Sequence, residues 1–205
     1  MFLRIVPVLV LAVVVGGCSP AESPREAAPP ATTEPMAESH AATPASQQEL
    51  NTDEDIIRVA SSAAPSDISD DATIMDVGED GTMREVRTGT NGWVCMARPQ
   101  VMCLDKQWQD WSEAWLNKRE PEVCGVGIAY MLRGDTGASN TDPFATEATP
   151  DNQWVTTGPH IMLLTSDAKQ LDALPTDPHT GGPWVMWKGT PYAHIMVPME
   201  EMGDR

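Results

Sequence analysis

Tyrosine and phenylalanine are nearly missing: two of each in 205 residues, against seven tryptophans. A core built without them draws its large apolar volume from Trp, Met, Leu, Ile and Val. Basic residues are also few, 13 Lys and Arg against 30 Asp and Glu, for a formal charge of −17. So acidic a chain repels phosphate backbones and anionic headgroups, which argues against nucleic acid as a partner. The sequence holds no phosphate-binding glycine loop, Ser nucleophile elbow, zinc-protease helix or paired-Cys metal knuckle. That absence argues mildly against the enzyme classes recognised by those motifs and does not exclude an enzyme whose residues are scattered along the chain. Long hydrophobic runs are missing too, with one exception at the N-terminus.

That run is Ile5 to Val15, preceded by Arg4 and followed by Gly16-Gly17-Cys18. A basic start, an apolar stretch of signal-peptide length and small residues at the cut describe residues 1–17 as a secretory signal. Val15-Gly16-Gly17-Cys18 resembles the lipobox of bacterial lipoproteins. The resemblance implies that Cys18 is diacylated and becomes the mature N-terminus. It also implies membrane attachment through that lipid, on the periplasmic side of the cell envelope. Ser19, in place of Asp, implies outer-membrane sorting if the host is Gram-negative. Loss of residues 1–17 removes Arg4 and leaves 12 basic against 30 acidic residues, a charge of −18. Residues 18–50, rich in Pro, Ala, Ser, Thr and Glu, cannot bury enough surface to offset the entropy of ordering. They read as a flexible tether in which His40 has no role.

Residues 51–205 read as one globular domain. Thr52-Asp53-Glu54-Asp55 fits a capping box for a helix that Pro65 ends. Thr73 to Val77, Thr82 to Thr88, Trp93 to Ala97 and Val101 to Leu104 read as strands between turn residues. Asp105 is placed to cap a helix to Arg119, stopped by Pro121, with Leu104, Trp108, Trp111 and Trp115 on one face. Those tryptophans form either a core face or a sugar-stacking ridge, and the scarcity of other aromatics favours the core. Gly125 to Leu132 reads as a buried strand, and Ser166 as the cap of a short helix from Asp167 to Leu174. Strands joined by hairpins and covered by few helices predict an α+β fold: a mainly antiparallel sheet with one Trp-rich amphipathic helix packed on it.

The last hairpin carries the candidate site. Trp184 to Trp187 and Tyr192 to Pro198 flank a Lys188–Pro191 loop, a register that sets Trp187 opposite Tyr192 and Val185 opposite His194. One face then holds Trp184, Met186, Ala193, Ile195 and Val197 as core. The other holds Val185, Trp187, Tyr192, His194 and Met196, a mixed face on which Trp187 and Tyr192 would stack a small organic ligand. His160-Ile161-Met162 repeats the triplet His194-Ile195-Met196. Residues i and i+2 of a strand share a face, so neighbouring strands would bring two imidazoles and two thioethers together. Such a soft donor set suits copper, Cu(I) above all. The His-x-Met pairs resemble those of periplasmic copper chaperones, although the intervening methionine spacing of that family is not matched here. Without metal, the methionines fill core gaps and each histidine is a hydrogen-bonded strand residue.

In an exported chain Cys95, Cys103 and Cys124 are read first as disulfide candidates. A hairpin over Arg98-Pro99-Gln100 sets Cys95 against Cys103, the expected pair, with the other two pairings open. Cys124 is then a buried thiol. Asp135-Thr136-Gly137-Ala138-Ser139 resembles the signature of retroviral-type aspartic proteases. It lacks the apolar residues before the Asp and the later apolar-apolar-Gly element, and Asp-Thr-Gly is also an ordinary turn. Asp135, Asn140 and Asp142 do not match a helix–loop–helix calcium spacing. Gly89 to Met96, Gly158 to Met162 and Trp187 to His194 resemble stretches of exported bacterial proteins without assigned activity, which implies a shared domain and no particular chemistry. Three functions remain open. One is a binding module for copper or a small ligand. Another is a hydrolase with His160 or His194 as general base, aided by Asp135 or Asp142. The third is an interaction lipoprotein without chemistry.

Overall fold

The computed structural model describes residues 50–199, apart from residue 79. The signal segment, Cys18, His40 and the tether up to residue 49 lie outside the described residues, as do residues 200–205. Thr52 caps helix α1 (Asp53–Ser61), its hydroxyl accepting the Asp55 amide, with three carboxylates in the first turn where the helix dipole favours them. Pro65 follows, and a short helix α2 (Ser66–Ser69) leads into the sheet.

Eight strands form one mainly antiparallel sheet: β1 (Thr73–Val77), β2 (Met83–Arg87), β3 (Val94–Met96), β4 (Met102–Leu104), β5 (Val126–Met131), β8 (His160–Thr165), β9 (Trp184–Met186) and β10 (His194–Pro198). Their spatial order is β2-β1-β3-β4-β5-β8-β10-β9, with only β1 and β3 parallel. A separate ribbon pairs β6 (Ala138–Ser139) with β7 (Trp154–Val155). Together with α3 (Lys106–Leu116) and the short α4 (Ala168–Asp172), this is a mixed fold with one large sheet and few helices. Cys95 and Cys103 stand directly opposite each other on β3 and β4 and form a buried disulfide, with Cα atoms 4.0 Å apart.

Side chains alternate along a strand, so adjacent residues Cys103 and Leu104 look to opposite faces of β4. Cys103 joins Ile56, Val59, Ala60, Ile74 and Cys95 in a core beneath α1, whereas Leu104 joins Trp108, Trp111, Ala129, Met162, Trp184 and Met196 in a second core. Helix α3 supplies two of the indoles of that second core, Trp108 and Trp111. Its N-cap Asp105 does double duty: one carboxylate oxygen accepts the Trp108 amide at 2.9 Å and the other accepts the Ile128 amide of β5 at 2.6 Å. The same side chain thus starts the helix and fastens it to the sheet.

Four expectations change. Helix α3 stops at Leu116 rather than Arg119, because Lys118 takes φ 52° and Arg119 closes the end on the Ala114 carbonyl. The cap of α4 is Asp167, not Ser166. Cys124 is an exposed free thiol preceding β5, not a buried one. The last hairpin is shifted by one residue: His194 pairs with Met186 and Ile195 with Val185, since Trp187 turns away at φ 56° and lengthens the loop. A one-residue slip exchanges the faces of a strand pair. Trp184 and Met186 keep the core place expected of them, but on β10 it is His194 and Met196 that join them there, while Ile195 and Val197, expected in the core, are half-buried.

Replacing Asp105 with Ala removes the helix cap and strands the half-buried Ile128 amide. Unfolding free energy in urea should fall by about 2–3 kcal/mol, and a loss within about 0.5 kcal/mol of zero, the level of an ordinary surface substitution, would show that the fastening is not made there.

Candidate functional site

Strands β8 and β10 are antiparallel neighbours in which Met162 lies opposite Met196 and His160 opposite Pro198. His160, Met162, His194 and Met196 are all buried on the face covered by α3. His160 sits four residues along the ladder from His194, an offset of about 13 Å at the rise of a β-strand. The four side chains share a face, but the imidazoles bracket the methionine pair from its two ends and do not meet.

Each ring is fixed in the same way. His160 Nδ1 lies 2.7 Å from the Gly158 carbonyl, and His194 Nδ1 lies 3.0 Å from the Tyr192 carbonyl, both two residues earlier in the chain. A carbonyl only accepts, so Nδ1 carries the proton and Nε2 keeps its lone pair. The two surroundings then diverge. His194 stands edge-on among Trp108, Trp111 and Trp187, with ring centres 5.0–5.7 Å apart. At the other end, His160 is fully enclosed and its Nε2 has no hydrogen-bond partner. Buried acceptors without donors are uncommon and call for a ligand, a water or a function.

Asp135 lies near that end. It is half-buried, and one carboxylate oxygen accepts the amides of Gly137 and Thr157, each at 2.9 Å. Burial raises its carboxyl above the ordinary range, against the lowering effect of the two amides and of His160. His160 is pushed down by burial, opposed by the Gly158 carbonyl and by Asp135. His194 is driven by burial to about 4, with a smaller like-charge contribution from His160. Both rings are therefore neutral at pH 7, the state a metal-ligating imidazole requires. Asp142 closes a turn on the Phe144 amide, and Asp135 is the carboxylate that faces His160.

The proposed ligand-stacking residues are elsewhere in character. Trp187 and Tyr192 are buried, 9% and 6% exposed, and Trp111 covers both. Their faces are occupied by protein, which leaves no platform for an organic ligand. Residues that composition did not reveal bind this region together: Ser139 and Asn140. The Trp187 indole donates to the Ser139 carbonyl at 2.6 Å and its amide to the Asn140 carbonyl at 2.9 Å. The Asn140 carboxamide accepts from the Trp184 indole and donates to the Gln153 side chain and the Thr176 carbonyl. Ser139 ends the stretch with the protease-like spelling and Asn140 follows it. The only signal in sequence was a polar pair following a turn, which is too common to single out. Among the described residues, no group of three His, Cys, Asp or Glu is placed to hold a metal ion.

Comparison with protein-family models, curated proteins and solved structures returns no match.

The depressed histidines make stability depend on pH. A base whose pKa is lower when folded is protonated first in the unfolded chain, so stability is complete above the unfolded value near 6.5 and declines as pH falls toward about 4. His160 acts with the same sign, and the raised Asp135 opposes it above its ordinary value. Urea unfolding should lose about 3 kcal/mol between pH 7 and pH 4, and His194→Gln should flatten the profile. A flat wild-type profile would contradict a neutral buried His194.

Proposed function

We propose that this chain is a lipid-anchored protein of the cell envelope whose domain binds one Cu(I) ion in its core. The donors are His160 Nε2 and the thioethers of Met162 and Met196. The observation that carries the reading is the unpartnered lone pair of His160, enclosed beside a directly opposed methionine pair. One imidazole and two thioethers are a soft, three-donor set that favours Cu(I) over zinc or calcium. The Gly158 carbonyl plays the outer partner that a ligating histidine needs, fixing its tautomer and ring plane. Entry lies at the start of β8, where half-buried Gly158, Pro159 and Pro198 border His160. The Trp-rich helix α3 is the lid that keeps water from this face.

The rest of the proposal comes from the sequence. Cys18 carries the lipid, the tether holds the domain off the membrane on the periplasmic side, and the acidic surface excludes nucleic acid as a partner. In a Gram-negative host the outer membrane is the destination. A second reading is favoured by the fact that His194 is fully packed among tryptophans with its Nδ1 satisfied. An interaction lipoprotein without chemistry needs nothing more than that. The hydrolase alternative draws on the approach of Asp135 to His160.

Titration of the purified chain with Cu(I) under anaerobic, reducing conditions against a chromophoric chelator tests the metal. Binding should saturate at about one equivalent with Kd below about 1 μM. Met162→Leu and Met196→Leu keep volume and fold and should each weaken it about tenfold or more. Affinity unchanged in both, or weaker than micromolar in the parent chain, would remove copper from the account. Metabolic labelling with a radioactive fatty acid tests the anchor: the label should appear on the parent protein and vanish in Cys18→Ala, and an unlabelled parent would defeat the lipoprotein reading.

A further inference from the structure

A cavity of about 350 Å³ opens beside the β6–β7 ribbon, lined by Gln153, Trp154, Val155, Thr176, Asp177, Pro178 and His179. None of the copper-binding residues lines it. Val155 and Pro178 are buried and give it an apolar floor, while Trp154 is half-buried and forms a wall. That indole is held close over Gly137: a Cβ there would come within 2.2 Å of Trp154 Nε1, and Gly137 itself has φ 103°. The wall is therefore rigid and specified by a glycine.

The rim is polar, exposed and only partly satisfied. One oxygen of Asp177 accepts the His179 amide at 2.9 Å, and its other oxygen has no protein partner among the described residues. Gln153 uses its carbonyl for Asn140, leaving its amide nitrogen available as a donor. Gln153 also holds φ 46°, a left-handed conformation that is unfavourable for a residue with a Cβ and persists where surroundings impose it. Here the same Asn140 carboxamide grips Gln153 on one side of the cavity and the Thr176 carbonyl on the other, at 3.1 and 2.9 Å. One buried residue thus holds two of the segments that line the cavity.

We infer that this cavity is a binding site for a neutral saccharide ring. An indole wall and apolar floor match the C–H face of a pyranose, and Gln153, Asp177 and His179 offer a donor, an acceptor and an imidazole to its hydroxyls. A purely apolar ligand would strip water from those three groups without replacing their hydrogen bonds. Anionic ligands meet the Asp177 carboxylate and a net charge of −17. The volume lies at the small end of ligand pockets, enough for a ring and its substituents at the end of a glycan.

The test is ¹H–¹⁵N correlation spectroscopy on the full chain, titrated separately with maltotriose, cellotriose, chitotriose and, as the cationic control, choline. At least one trisaccharide should shift the Trp154 indole and the Gln153 side-chain amide with millimolar affinity. Trp154→Ala should weaken it about tenfold. Because Trp154 packs on Gly137, His179→Ala, a change at an exposed side chain, provides the second variant and should weaken binding with the remaining spectrum intact. No shift up to about 20 mM sugar, above the millimolar range of a single-ring contact, would overturn the assignment. So would shifts away from residues 153–155 and 176–179, affinity unchanged in both variants, or saturation by choline alone. Copper binding is read from a different face, so failure of either experiment leaves the other standing.

Discussion

The structure depends on one closure: two indoles from α3 pressed onto the histidine- and methionine-bearing face of β5, β8, β10 and β9. Burying Trp108 and Trp111 is worth about 4–6 kcal/mol each by area, an upper bound for an extended reference chain. Keeping His194 neutral in the same place costs about 3 kcal/mol only where the pH would otherwise protonate it. The apolar gain wins at neutral pH, and an imidazole becomes affordable inside a core that a phenylalanine would fill more cheaply. Asp105 matters for the same reason, since it sets both the start of α3 and its attachment to β5.

That closure also fixes the last hairpin. Met186, Trp184, His194 and Met196 must all look toward α3, which only the observed register allows. Trp187 absorbs the odd residue in a left-handed conformation, and its indole and amide are then anchored on Ser139 and Asn140. Strain at one residue is thus balanced by two hydrogen bonds and by stacking against Trp111 and Trp115. Asn140 extends the chain of dependence outward. Its side-chain oxygen serves the core through Trp184, and its nitrogen serves the cavity rim through Gln153 and Thr176.

Local chemistry was legible in the sequence where one residue decides the outcome. Thr52 and Asp105 cap their helices, Thr73 to Val77 is a strand to the residue, and the turn after Ala97 sets Cys95 against Cys103. The two His-Ile-Met strands are neighbours, with Met162 opposite Met196, but the imidazoles expected to converge stand four residues apart along the ladder, each bonded to a backbone carbonyl. What failed was counting across a loop. Lys188-Gly189-Thr190-Pro191 looked sufficient for the hairpin, but Trp187 belongs to the loop because its ring is held from Ser139, 48 residues away. No local rule contains that contact. Cys124 failed likewise: its apolar neighbours belong to an edge of chain before β5, and the strand begins only at Val126. The fate of residues 1–49 is another matter, because their reading rests on composition and spacing and not on packing.

The acidity of the chain and the softness of its buried donors answer different questions about cations. A surface with a net charge of −17 draws every cation alike and cannot tell one from another. Hard ions are held by converging oxygens, and among the described residues the carboxylates are dispersed in caps, turns and arginine pairs such as Asp76 with Arg84 and Arg98. On the proposed copper reading, selection comes from inside, where the His160 imidazole and the thioethers of Met162 and Met196 are buried. There a hard ion would lose its hydration shell and gain no oxygen in return, while Cu(I), which binds water weakly, loses little. The same burial that depresses both histidines keeps Nε2 free of protons at neutral pH. On that reading, attraction without discrimination at the surface and discrimination without charge in the core are complementary, and the second draws on the Met162–Met196 pair of β8 and β10.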